Sequence, residues 1–136
     1  MSEIEAAALN IKLNHIDEWT DQRIKAAERY TSNLSGCKKI QLLKISEENK
    51  CVYHLFPVFV SNRDKIIKKL DEKGVQTGIH YPVPIHLQEA YSSLGHKKGD
   101  FPESERQARR EISLPIYPGI TNRQIDYVSE CLIDSV

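Results

Sequence analysis

An excess of charge of either sign is what this sequence most clearly lacks. Of its 136 residues, 19 are lysine or arginine and 19 are aspartate or glutamate, so the formal net charge is zero. Proteins that bind nucleic acid or anionic membranes usually carry an excess of positive charge, because their partner is covered with phosphates. We therefore expect neither nucleic acid nor a membrane as a partner.

Long apolar runs, a signal peptide and paired cysteines are also missing. No stretch of about 18 apolar residues predicts a membrane-spanning helix, and the N-terminus lacks the basic and apolar regions of a signal peptide. Cys37, Cys51 and Cys131 form an odd set without CxxC spacing, which is typical of reduced cytosolic thiols. We therefore expect a cytoplasmic protein without disulfides.

No complete catalytic motif is present. The sequence contains neither GxSxG nor the phosphate-binding patterns GxGxxG and GxxxxGK[ST]. His54, His80 and His86 match no zinc spacing, and no cysteine or carboxylate lies at ligand spacing beside them, so we predict no metal site. What is present is an ordinary globular composition, with 40% hydrophobic and 28% charged residues, in a length that fits one domain.

Residues 1–35 predict an N-terminal helical segment. Ser2 and Glu5 have the spacing of a capping box, which predicts a first helix to about residue 16. A second helix is predicted from Asp17, as N-cap or as a bend in one long helix, to about Leu34.

The first helix carries two apolar stripes, although a surface helix usually carries one. Two stripes favour burial from both sides, by a partner subunit or a missing domain. The alternative is that the second stripe packs on the next helix. The stripes are Ile4, Ala7, Ala8 and Ile11 on one face, and Leu9, Leu13 and Ile16 on the other.

Residues 36–136 alternate between strand and helix patterns. The predicted order indicates an α+β fold, a small antiparallel-type sheet covered by helices and preceded by the N-terminal helical segment. Pro57 favours a bulge or an edge position for its strand, and Gly74 and the Thr121–Gln124 capping box mark helix ends. Strands are predicted at 40–45, 52–60 and 75–81, helices at 61–74, 87–94, 102–112 and from 121 to the end, and an extended segment at 114–118.

The segment GIHYPVPIHLQEAY, residues 78–91, combines a stiff backbone with polar side chains. Pro82 and Pro84 hold the chain extended, while His80, Tyr81 and His86 offer hydrogen bonds on that frame. Such a segment suits recognition of a polar ligand such as a sugar or a phosphate. The alternative is that the rings pack internally and the prolines only shape a turn.

Five segments carry a resemblance to a known family. In chain order they are MSEIEAAALNIKLNHIDEWTDQRIKAAERY at 1–30, VYHLFPVFVSNRD at 52–64, GIHYPVPIHLQEAY at 78–91, GDFPESE at 99–105 and SLPIYPGIT at 113–121. Together they resemble the C-terminal part of the DegT/StrS family of sugar aminotransferases, which depend on pyridoxal phosphate. The resemblance covers essentially the whole chain.

The resemblance implies the small domain of a fold type I aminotransferase. In that family a large domain carries the lysine that holds pyridoxal phosphate as a Schiff base and an acidic residue that pairs with the pyridine nitrogen. The small domain closes over the site and helps to form the sugar-nucleotide pocket at a dimer interface. The complete enzyme would move an amino group from an amino acid, such as glutamate, to a keto sugar on a nucleotide, for amino sugars of surface polysaccharides or glycosylated metabolites.

The sequence departs from the family because nothing in it resembles the large domain or its lysine motif. We therefore transfer no catalytic role to any of the twelve lysines, and for this chain alone we expect neither bound pyridoxal phosphate nor transamination. Glu5 replaces a glutamine of the family. The family has a methionine inside its chain at the place where Met1 stands here. We therefore expect Met1 to be either an internal residue of a longer protein or the start of a shortened reading frame.

What the match carries over is a set of candidate substrate-binding residues, namely His80, Tyr81 and His86. In the complete enzyme their ligand would be a nucleotide-linked sugar, and the N-terminal helices would form a homodimer. A second hypothesis remains open: a stand-alone ligand-binding or regulatory module that keeps the fold and uses the same segment for recognition.

Overall fold

Five α-helices and one three-stranded sheet form the structure, a computed structural model that describes residues 1–136. The sheet is antiparallel with strand order β1-β2-β3. This arrangement confirms the predicted α+β class. The helices are α1 (Glu3–Leu13), α2 (Ile16–Leu34), α3 (Arg63–Glu72), α4 (Pro102–Arg110) and α5 (Asn122–Ser135), and the strands are β1 (Gln41–Leu42), β2 (Phe56–Phe59) and β3 (Glu111–Leu114).

The hydrophobic core lies between the sheet and helices α2, α3 and α5. Each fully buried aliphatic or aromatic side chain contributes roughly 1.5–3 kcal/mol through removal of its surface from water. At the edge of the core, Arg29 of α2 donates two hydrogen bonds to Asp126 of α5, at 2.7 and 2.6 Å. The core side chains with no exposed surface include Tyr30, Leu34, Val58, Leu70, Ile112 and Leu132.

Three helix-end signals are confirmed. The Ser2 and Thr121 hydroxyls accept from the backbone N–H groups of Glu5 and Gln124, whose side chains accept in turn from the two cap residues. Gly74 follows α3 with φ of 74°, a left-handed conformation that glycine adopts without steric strain.

Two helix starts differ from prediction. Helix α1 ends at Leu13 and α2 begins at Ile16, so its N-cap is His15, without a side-chain hydrogen bond, instead of Asp17. Asp17 lies in the first turn, where a carboxylate favours the positive end of the helix dipole. Helix α3 begins after Asn62, which has a left-handed φ of 56°.

The predicted strands are longer than the observed ones. The run 40–45 forms a strand only at Gln41–Leu42, the run 52–60 only at Phe56–Phe59, and 75–81 contributes a single bridge between Gly78 and Ser113. Apolar runs show where a chain is buried, whereas a strand also needs a neighbour to accept its hydrogen bonds.

The C-terminal elements are corrected as well. The helix predicted to 112 ends at Arg110, and Glu111–Leu114 form β3, which pairs along its whole length with β2. All four residues of β3 are buried, so tertiary pairing overrides the helical pattern. The helix predicted at 87–94 consists instead of two 3-10 helices, Ile85–Leu87 and Glu89–Leu94.

Pro57 lies in the central strand, and the predicted edge position is wrong. It stands opposite Ser113, whose backbone N–H and carbonyl both bond to Gly78 on the other side of β3, at 2.9 and 3.1 Å. Strand β1 reaches only as far as Val58. No neighbour therefore requires the N–H that proline lacks.

Helix α1 buries none of its residues. Leu9 is 52% and Leu13 is 66% exposed, so the alternative that the second stripe packs on the next helix is wrong. Ile4 and Ile11 of the first stripe are exposed as well. No helix of the structure combines the length and the apolar composition needed to cross a membrane.

Candidate functional site

A pocket of about 310 Å³ lies where the 80–88 segment meets the sheet and helix α4. This volume is at the lower end of the range for small-molecule sites, roughly 300–1,000 Å³. The sheet supplies one wall, α4 another and the proline-stiffened segment the third. The lining residues are Leu43, Pro57, Phe59, His80, Tyr81, Val83, Pro84, Ile85, Gln88, Ser104, Gln107, Ala108 and Glu111.

His80 is positioned in this pocket by two residues of β3. Its backbone N–H donates to Oε2 of Glu111 at 2.7 Å, and its ring Nδ1 lies 3.0 Å from the Ser113 hydroxyl. The bridge between Gly78 and Ser113 brings the segment alongside β3. The side chain is exposed and lines the pocket, as a ligand-binding residue should.

Glu111 and Ser113 are buried polar residues on one face of β3, at 4% exposure each. The Ser113 hydroxyl donates to Oε1 of Glu111, so both carboxylate oxygens have donors within the protein. A buried carboxylate without such donors would cost several kcal/mol. Neither residue was among the predicted site residues. Residues two positions apart in a strand lie on the same face of the sheet. This rule would have placed Glu111 and Ser113 together if 111–114 had been interpreted as a strand.

Tyr81 lies at the mouth of the pocket with 70% of its surface exposed. Its ring meets that of His80 edge-on, at 5.5 Å between centroids and 72° between planes, and the peptide bond between the two residues is cis. The structure thus brings these two predicted residues together at one opening.

His86 is placed differently, since it does not line the pocket. Its side chain is 8% exposed, and Nε2 lies 3.2 Å from Oε1 of Glu105. The ring packs on Phe101 at 4.8 Å between centroids. Glu105 also accepts the Gly99 N–H at 2.6 Å, and this bond, followed by that of His86, lowers the pKa of the Glu105 carboxyl. His86 therefore ties the 80–88 segment to α4.

Pyridoxal phosphate does not fit this pocket by itself. The lining contains no lysine that could form an imine with the cofactor, and its one carboxylate, Glu111, is already engaged by Ser113 and His80. Nor does the structure contain a group of three or more histidine, cysteine, aspartate or glutamate side chains able to hold a metal ion. The chemistry available here is recognition by hydrogen bonds and ring contacts.

A second, basic pocket of about 430 Å³ lies between α3 and the end of α5. Four lysines and an arginine line it, among them Lys39 and Lys69. These two amines donate to the carbonyls of Val136 and Ser135, at 2.7 and 2.9 Å. They therefore satisfy carbonyls at the C-terminal end of α5, an ordinary structural use of lysine.

Comparisons with known proteins agree along nearly the whole chain. Residues 1–133 match the DegT/DnrJ/EryC1/StrS aminotransferase family. The chain is 39% identical over 134 residues to the dTDP-3-amino-3,4,6-trideoxy-alpha-D-glucose transaminase of Streptomyces venezuelae. It is 36% identical over 132 residues to the pleiotropic regulatory protein of Geobacillus stearothermophilus.

Solved structures show the same relation. The chain superposes on DesV of S. venezuelae with a TM-score of 0.93 and 36% identity, over 98% of this chain and 36% of that one. The two curated relatives are matched over 96% of this chain and over 35% and 36% of their own lengths. The chain thus spans about a third of the proteins that it matches.

Proposed function

The chain belongs to the DegT/DnrJ/EryC1/StrS aminotransferase family, and we propose that it is the small C-terminal domain of a nucleotide-sugar aminotransferase. The complete enzyme moves an amino group from an amino acid such as glutamate to a keto sugar on a nucleotide, in amino-sugar biosynthesis. Relatives named as dTDP-sugar transaminases support this substrate class. Residues 36–136 form the small domain, and the helical segment 1–35 joins it in one compact unit by burying Tyr30 and Leu34 of α2.

The family depends on pyridoxal phosphate, which supplies an electron sink for amino transfer. We propose that the rest of the complete enzyme holds this cofactor, since the pocket described here offers it no lysine. The task of this chain is then to bind and orient the sugar nucleotide. Transamination by this chain alone is not expected.

The observation that carries this proposal is the pairing of His80 and Tyr81 at one pocket. His80 presents a ring nitrogen on a rigid support, and Tyr81 presents an exposed aromatic face and hydroxyl. An aromatic face packs well on a sugar or a base, while hydrogen bonds set orientation. His86, the third candidate, contributes by holding the segment through Glu105.

The decisive experiment is His80→Ala in the complete enzyme, with dTDP-glucose as the binding probe. Loss of one neutral hydrogen bond, worth about 0.5–1.5 kcal/mol, corresponds to a roughly 2- to 10-fold weaker affinity. The absorbance of bound pyridoxal phosphate should stay unchanged. His54→Ala is the matched control, because His54 is an exposed histidine outside the pocket. Equal affinity of His80→Ala and the native enzyme would remove His80 from the site.

A stand-alone binding module is favoured by one observation of its own. The chain closes a core of 17 buried residues without any other domain, so this part of the protein can hold the pocket by itself. Titration of dTDP-glucose into this chain distinguishes the two functions. Binding at micromolar concentration would support the module, whereas binding that requires the complete enzyme would support the aminotransferase.

We propose further that the N-terminal helices mediate homodimerisation. Helix α1 presents Ile4, Leu9, Ile11 and Leu13 to solvent, each more than half exposed, and a second copy of the chain could cover them. Sedimentation of this chain across a range of concentrations tests the proposal. A monomer at every concentration would contradict it.

A cytoplasmic location is also proposed. Cys37, Cys51 and Cys131 are free thiols in the structure, and free thiols persist in reducing compartments. Fractionation of cells that produce the complete protein is the appropriate measurement. Recovery from the secreted fraction would contradict the proposal.

A further inference from the structure

The His80 ring contacts Ser113 of β3, which in turn contacts Glu111 of the same strand. We call His80, Ser113 and Glu111 the His80 relay. Ring Nδ1 lies 3.0 Å from Oγ of Ser113, and Ser113 in turn contacts Oε1 of Glu111. The second carboxylate oxygen receives the backbone N–H of His80 at 2.7 Å.

The direction of each hydrogen bond in the relay follows from what each group can donate. The Ser113 hydroxyl donates its single proton to Oε1 of Glu111. The oxygen of Ser113 can then only accept from the His80 ring. Nδ1 must therefore carry a proton, and in the neutral ring Nε2 carries none.

Two members of the relay, Glu111 and Ser113, are buried, which keeps the direction of the hydrogen bond between them in place. Glu111 and Ser113 are each 4% exposed, so little water competes for their hydrogen bonds. Gly78 bonds to the Ser113 backbone through both its N–H and its carbonyl. The backbone that carries His80 is therefore held beside the strand that carries Glu111 and Ser113.

We propose that Glu111 and Ser113 are positioning residues that hold His80 as the Nδ1–H tautomer, so that its unprotonated Nε2 accepts a hydrogen bond from the ligand. No protein group engages Nε2, and His80 lines the pocket. An acceptor recognises a hydroxyl or an amine. It does not recognise a diphosphate, which has no proton to donate at neutral pH. The ligand class rests on the function proposed above: His80 reads a hydroxyl of the sugar nucleotide.

The experiment is a long-range ¹H–¹⁵N correlation spectrum of the ¹⁵N-labelled chain, which shows the protonated nitrogen of each histidine. The spectrum is recorded at a pH at which it shows a single protonated nitrogen on each ring. His80→Gln identifies the His80 signals. We expect His80 to be protonated on Nδ1 in the native chain, and protonation on Nε2 would overturn the proposal.

Ser113→Ala removes the acceptor and should abolish the preference of His80 for the Nδ1–H tautomer. Ser104→Ala is the matched control, because Ser104 lines the same pocket outside the relay and its loss should leave the tautomer unchanged. A native tautomer pattern in Ser113→Ala would overturn the role of Ser113. Glu111→Gln provides a second variant. If the amide oxygen keeps the His80 backbone N–H, the amide NH2 donates to Ser113, whose hydroxyl then donates to Nδ1, and His80 should shift toward the Nε2–H tautomer. An unchanged Nδ1–H tautomer would overturn the role of Glu111.

Addition of dTDP-glucose to the complete enzyme separates this inference from the proposed function. If the ligand binds and shifts the Nε2 resonance of a His80 ring that is protonated on Nδ1, the relay and the proposed function are both supported. If it fails to bind while the tautomer is as expected, the proposed function fails and the relay stands. If it binds to a His80 ring protonated on Nε2, the relay is overturned and the proposed function stands.

Discussion

The position of the His80 ring depends on the absence of a side chain at Gly78. A Cβ built on Gly78 would lie 2.7 Å from Cε1 and 3.3 Å from Nδ1 of that ring. Real Cβ atoms do not approach other atoms so closely. The ring, which is an exposed side chain, would have to move.

Gly78→Ala should therefore displace His80 at little cost to folding. The hydrogen bond to Ser113 should be lost, with weaker ligand binding, while the free energy of unfolding changes by less than about 1 kcal/mol, because alanine also restricts the unfolded chain. The His80 tautomer and urea unfolding measure the two effects. Gly36→Ala is the control, since a Cβ there meets nothing within 4 Å. An unchanged His80 tautomer in Gly78→Ala would contradict the prediction, because it would show that the added Cβ does not displace the ring.

Asp126 is the residue whose ionisation most directly links helices α2 and α5. Hydrogen bonds from Arg29 and then Asn33 lower its pKa below the ordinary aspartate value. A carboxyl with a lowered folded pKa stabilises the fold above its unfolded pKa, about 3.9. That contribution is lost as the pH falls through the folded pKa.

Asp126→Asn should thus destabilise the protein at pH 7, and the difference from the native chain should shrink as the pH falls below about 3.9. Urea unfolding at a series of pH values gives this difference directly. Asp21→Asn removes an exposed carboxylate that takes part in no ion pair and controls for the lost charge. A difference that stays constant down to about pH 2.5 would show that the pair with Arg29 is not the source of stability.

Among the elements, the segment between Gly78 and α4 has little regular structure and is held by a few side chains. Its two 3-10 helices bury no residue completely, although the His86 side chain is only 8% exposed. Glu105 of α4 anchors it by accepting from the Gly99 N–H and from His86. A single buried carboxylate therefore supports the wall of the pocket that carries the predicted site residues.

Glu105→Gln should loosen this segment while leaving the core intact. A neutral amide accepts more weakly than a carboxylate, so exchange of the Gly99 amide hydrogen should speed up on the order of tenfold. Hydrogen exchange followed by NMR measures it residue by residue. Glu103→Gln, on the exposed face of the same helix, is the matched control. Equal exchange of Gly99 in both variants would assign the anchoring to the ring contacts of Phe101.

For the molecule as a whole, stability comes from α2 to α5 and the sheet, while α1 contributes little. Deletion of residues 1–14 should change the free energy of unfolding by less than about 0.5 kcal/mol, as for other surface changes, because α1 buries none of its residues. Leu34→Ala in α2, a fully buried site, should cost about 2–5 kcal/mol. Urea unfolding compares both with the native chain, and a large loss on deletion would reveal contacts between α1 and the core.

Part of the site was predictable from sequence. The 78–91 segment was identified because prolines, histidines and a tyrosine occur together, and the structure brings His80 and Tyr81 to one pocket. The partner of His86 was not predictable. Its neighbour Glu105 lies 19 residues away along the chain, on a helix face that only the folded molecule brings close.

By itself, the sequence determined what depends on neighbouring residues: the two capping boxes, the glycine turn after α3, the α+β class and the order of the family segments. The tertiary structure decided the rest. It turned 111–114 into a strand paired with β2, placed Pro57 inside the sheet and joined His80 to residues 31 and 33 positions away. The physical reason is the distance along the chain between the residues that interact. A cap is completed within one helical turn, whereas a strand or a buried carboxylate is stable only if a distant segment supplies its hydrogen bonds.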